Sequence, residues 1–87
     1  MGNQNIIGTN VRKGRVALGL SQSQLAARCN VAGWDLKRAS LSKIESGIRR
    51  VNDAEFVILS QVLKVELGVL LQTKREVLLS VARQGKT

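Results

Sequence analysis

The 87-residue chain contains no histidine and no proline, a single cysteine and only six acidic residues. Without histidine there is no imidazole general base, no Ser-His or Cys-His nucleophile pair and no histidine-containing zinc site. One cysteine cannot close an internal disulfide, and no signal peptide opens the chain, so an intracellular, reducing, cytoplasmic setting is expected. Cys29 is read as a small apolar core residue rather than a redox group. The carboxylates are scattered and no glycine-rich phosphate loop accompanies them, so no enzyme, cofactor or metal is expected. The absence of proline leaves every helix unbroken. No apolar run is long enough to span a bilayer or to anchor a surface helix, and no membrane partner is expected.

Positive charge, by contrast, is abundant. Fourteen Lys and Arg against six Asp and Glu give a net charge of +8. Residues 1–50 carry nine basic and two acidic groups, while residues 51–87 carry five and four. So lopsided a field suits a polyanion, and nucleic acid fits better than a membrane surface. A chain of this length holds one small domain with a modest core and has no room for a second.

The most informative stretch, Leu20 to Gly47, reads as two short helices with a chain reversal between them. Ser21 and Gln24 have the spacing of a capping box, in which the Ser21 hydroxyl accepts from the Gln24 amide and the Gln24 side chain accepts from the Ser21 amide. Leu25, Ala26 and Cys29 supply the inner face of this helix, and Val31, Ala32 and Gly33 followed by Trp34 interrupt it. Asp35 is the expected N-cap of the second helix. That helix carries Leu41, Ile44 and Ile48 on its apolar face, Arg38, Ala39, Ser42 and Lys43 on the opposite one, and Gly47 at its end.

Two motifs stand in order, GLSQxxLA at Gly19 to Ala26 and SKIExG at Ser42 to Gly47, with Arg49 and Arg50 just after. On these residues the chain resembles the Cro/repressor-like helix-turn-helix family of transcriptional regulators over Ile7 to Leu71. Between Val31 and Leu41 it departs from the family with nine residues, a longer stretch than the usual pattern. The resemblance implies an all-α, compact five-helix lambda-repressor-like bundle whose second motif helix lies in the DNA major groove. It also implies an ion pair between Arg15 and Glu45, joining the first and third helices. The expected base-reading residues are Arg38, Ala39, Ser42 and Lys43, with Lys37 added if the longer turn extends the helix. Expected phosphate contacts are Gln22, at a helix N-terminus where amides and dipole favour an anion, and Arg49 and Arg50, where the family touches the backbone. One helix reads only a few base pairs, so a homodimer on a two-half-site operator in double-stranded DNA is expected, most simply a repressor. The alternative is an antitoxin-like interaction protein whose tail binds a partner protein while the helix-turn-helix autoregulates.

Around this stretch the chain divides into a flexible lead-in at 1–8, the DNA-binding domain at 9–71 and a C-terminal helical tail at 72–87. Only Ile6 and Ile7 of the lead-in are expected to dock. The first helix should run from about Thr9 to before Gly19 with Val11 and Leu18 inward, and Gly14 leaves a gap that Trp34 is placed to fill. A fourth helix, capped by Asn52 or Asp53, buries Phe56, Leu59 and Leu63, widened by Val57, Ile58 and Val62. Lys64 stands where the family often has a helix-ending glycine, and a short fifth helix covers Leu67 to Leu71. Val77, Leu78 and Val81 then continue a helical stripe into the tail as a sixth helix, which turns polar after Arg83.

Overall fold

The computed structural model describes residues 3–84, so Met1 and Gly2 of the lead-in and the polar end of the tail lie outside the described residues. Six helices follow one another: α1 (Gly8–Ala17), α2 (Gln22–Val31), α3 (Arg38–Glu45), α4 (Asp53–Leu63), α5 (Leu67–Leu70) and α6 (Arg75–Gln84). No strand occurs among the described residues, as the all-α expectation requires.

Local chemistry sets most of the helix ends. Ser21 and Gln24 form the expected capping box at the start of α2. Asn52 and Glu55 form a second one at α4, which selects Asn52 over Asp53 as the cap. At the end of α4, Lys64 adopts the left-handed conformation at φ 58°, taking the place of the helix-ending glycine.

The core is built from Ile7, Val11, Leu25, Cys29, Leu36, Leu41, Ile44, Leu59, Leu63 and Leu70. Helix α3 packs on α1 and α2, α4 packs on the same two helices, and α5 closes against α4 and α1. Burial pushes the Cys29 thiol up to about 11, so it stays protonated in the core, as expected of a packing residue. Helix α6 has no buried residue and packs on no other helix to comparable extent.

Several packing expectations need correction. Leu18 is the C-cap after α1 and is 40% exposed. Gly14 faces Leu63 of α4, whose Cδ1 lies 3.5 Å from where a Cβ would stand, so Leu63 and not Trp34 occupies the space. Val57 is 39% exposed, and Phe56 is only half-buried against the core. The lead-in docks through more than its isoleucines. Asn5 is buried, its Oδ1 accepting from the Ile7 and Gly8 amides while its Nδ2 donates to the carbonyls of Ile44 and Arg49. One side chain thereby starts α1, ends α3 and anchors the loop that follows.

Candidate nucleic-acid interface

Helix α3 is divided by burial. Leu41 and Ile44 are fully buried, while Arg38, Ala39 and Lys43 are exposed and Ser42 is half-buried. The 3.6-residue period puts the buried pair on one side and the other four together on the opposite side. Four of the five expected base-reading residues thus share one solvent-facing surface. The fifth, Lys37, is exposed but precedes the helix as its N-cap in extended conformation, so the longer turn does not lengthen α3.

Asp35 does not cap α3. The Leu36 amide donates to the Trp34 carbonyl at 2.8 Å, making a tight turn about Asp35, and Leu36 is only 2% exposed. Asp35 is left in solvent two residues short of the cap, and α3 has no side-chain cap at all. Leu36 lies in the interruption, where helical periodicity gives no sign of a buried residue.

At the other end the Gly47 amide donates to Ile44 O and the Ile48 amide to Lys43 O, the paired bonds of a Schellman ending. Gly47 carries φ +82°, which only glycine adopts without strain. The expected inward Ile48 is therefore outside the helix and 54% exposed. Where α1 meets this end of α3 the backbones nearly touch: a Cβ on Gly8 would stand 2.2 Å from Ile44 O and 2.9 Å from Glu45 O.

Arg15 and Glu45 come together as expected. Arg15 Nε and Nη2 donate to the two Glu45 carboxylate oxygens at 2.7 and 3.0 Å, and Arg15 Nη1 donates to Leu20 O at 2.8 Å. The hydrogen bonds from Arg15 to Glu45 raise the guanidinium's pKa above its ordinary value, against the opposing effect of burial. Gln22 Nε2 also donates to Glu45 at 3.1 Å, which turns this side chain toward the ion pair and leaves the backbone amides at the start of α2 as the part of Gln22 offered to an anion.

Sequence reasoning treated Arg49 and Arg50 alike, but the fold separates them. Arg49 makes a bidentate pair with Glu55 at 3.0 Å on both oxygens and also donates to Arg50 O. Arg50 is exposed and touches Gln4 Oε1 with its Nε at 3.2 Å. Glu55, Asn5 and Leu36 are the residues of this region that the sequence left unassigned. The Asn52-x-x-Glu55 spacing could have found the first of them.

Among the described residues no cluster of three or more metal-ligating side chains is gathered, and no helix is long and apolar enough to cross a membrane. The helix-turn-helix family model matches residues 11–70. Among solved structures, the chain is similar to the restriction-modification controller protein C.AhdI from Aeromonas hydrophila, with 31% identity, 74% of this chain and 86% of that one covered, and a TM-score of 0.64. It is also similar to the hypothetical transcription factor NHTF from Neisseria, with 28% identity, 83% and 77% coverage, and a TM-score of 0.67. No curated protein matches the chain.

Proposed function

The chain belongs to the helix-turn-helix family and is a DNA-binding, non-enzymatic transcription regulator, and on that premise we propose that it is a cytoplasmic repressor, binding a two-half-site operator as a homodimer. The observation that carries the reading is the division of α3, whose exposed Arg38, Ala39, Ser42 and Lys43 are backed by buried Leu41 and Ile44. Arg38 and Lys43 donate to guanine O6 and N7, Ser42 works as donor or acceptor, and the Ala39 methyl meets a thymine methyl. Lys37 reaches the same groove from the cap position. Arg50 and the free amides at the start of α2 hold phosphates, whereas Arg49 is already paired with Glu55.

Selecting bound sequences from a random duplex pool supplies the operator and tests these roles. Arg38→Ala or Lys43→Ala costs about 1 to 3 kcal/mol on the selected site and relaxes preference at one base pair, while Arg50→Ala weakens all sequences and lowers the salt slope by about one. Equal losses on selected and random DNA for both Arg38 and Lys43 sink the base-reading assignment.

The homodimer is supported by the apolar side chains left exposed on and beside α5 and on α6, Leu67, Val69, Leu71, Leu78 and Leu79, which a second copy would cover. Truncation after Gln72 then gives a monomer that loses affinity for the two-half-site operator far more than for one half-site. A truncated chain that still sediments as a dimer removes α6 from the contact. The same face of α6 is what favours the second reading, an antitoxin-like protein that holds a partner protein there. Purification from the native host separates the two, since a stoichiometric second polypeptide supports the antitoxin reading and its absence the homodimer.

A further inference from the structure

The longer segment between α2 and α3 is an ordered strap. The Gly33 and Trp34 amides donate to the carbonyls of Asn30 and Cys29, Trp34 packs on the core, and Leu36 is inserted into it. One side-chain amide adds a tie from α2 to the far end of the strap. Asn30 Nδ2 donates to Ala26 O at 2.7 Å, one turn back on its own helix, and to Leu36 O at 3.1 Å on the strap. Both of its hydrogens are thereby used, and the first bond holds the side chain in the rotamer that makes the second.

Leu36 is the last buried residue before the recognition surface. Lys37 follows as a cap without a side-chain bond, and Arg38 begins the helix. Arg38 follows Leu36 by two residues, at most about 7 Å of chain, so the position of Leu36 bears directly on where α3 begins. Base-edge contacts need their side chains held within about 0.5 Å, whereas contacts from flexible cations to phosphate tolerate more.

We infer that Asn30 is a positioning residue for DNA reading: its bridge between Ala26 O and Leu36 O sets where the N-terminus of α3, and with it Arg38, meets the base edges. The inference rests on α3 being the recognition helix. Asn30→Ala removes both bonds. Asn30→Asp keeps the shape but sets an oxygen without a hydrogen against two carbonyls. The readout is the ratio of affinities for the selected site and for random duplex, measured on the full chain with the salt slope and the thermal midpoint; in that ratio the added charge of the Asp variant cancels. The ratio should fall by at least about fivefold, the smallest loss expected when one base-reading pair is misplaced, with the salt slope unchanged. An unchanged ratio in a folded variant overturns the inference whatever happens to stability, and so does failure of both variants to fold, which makes Asn30 a folding residue only. If the wild-type chain itself selects no preferred sequence, it is the recognition-helix reading that fails.

Discussion

Cutting the Arg15–Glu45 pair should cost far more than a surface ion pair would. The Glu45 side chain is 4% exposed and that of Arg15 13%, and they meet through two hydrogen bonds. Arg15→Ala leaves the Glu45 carboxylate with Gln22 Nε2 as its remaining side-chain donor and strips Leu20 O of its guanidinium partner. Breaking a fully buried pair costs about 3 to 5 kcal/mol and an exposed one about 0 to 1 kcal/mol, and this part-buried pair falls between them, at about 2 kcal/mol. In a domain of this size each kcal/mol moves the midpoint by about 4 to 8 °C, so the fall is on the order of 8 °C or more. Replacing both partners, as Arg15→Met with Glu45→Leu, strands no charge and should recover most of the loss. Thermal unfolding of Arg15→Met, Glu45→Leu and the double variant gives the coupling energy. It should exceed about 1 kcal/mol and survive molar salt, because screening reaches buried pairs poorly. Additivity within about 0.5 kcal/mol would refute the reasoning and reduce the pair to two independent charges.

Gly14→Ala should stabilise the fold by about 0.5 to 1 kcal/mol, since the new Cβ makes only ordinary contact with Leu63 and the helix interior loses a glycine; an unchanged or lower unfolding midpoint contradicts this. Gly8→Ala should do the opposite and lower the midpoint sharply, because the Cβ would overlap Ile44 O and force α1 away from α3. Glu55 is held below its ordinary pKa of 4.5, first by the hydrogen bonds from Arg49, against the effect of burial. Its contribution is therefore complete above about pH 4.5 and lost as pH falls through the depressed value, so Glu55→Gln should flatten the acid limb of a stability-against-pH curve; an unchanged limb argues against the pair. Arg49→Ala should lower the thermal midpoint while leaving the salt slope of DNA binding near the wild-type value, and a slope reduced by about one would return Arg49 to the phosphate contacts.

Much of this architecture was legible in the sequence because its signals are local. Ser21 and Gln24 announce α2, and the spacing of Leu41 and Ile44 gives the inner face of α3. The errors fall where a local preference meets a stronger distant one. Asp35 is a good N-cap, worth about 1 kcal/mol, but capping with it would draw Leu36 out of the core, and burying a leucine is worth about 1.5 to 3 kcal/mol. Burial wins, and the helix starts later. Arg49 and Arg50 are neighbours of identical chemistry. The carboxylate of Glu55, already held by the Asn52 cap, takes the first, while the second meets Gln4. Asn5 left no trace because two of its partners are backbone carbonyls 39 and 44 residues away, and a carbonyl has no side-chain signature. Asn30 reaches Leu36 O in the same manner. Such side chains stand at both ends of α3, Asn30 holding the strap before it and Asn5 the turn after it. Hydrophobic periodicity can identify this helix and its exposed face, but the depth and tilt at which that face is presented depend on hydrogen bonds to backbone that periodicity does not encode. Base choice should therefore be open to change at positions that never touch DNA.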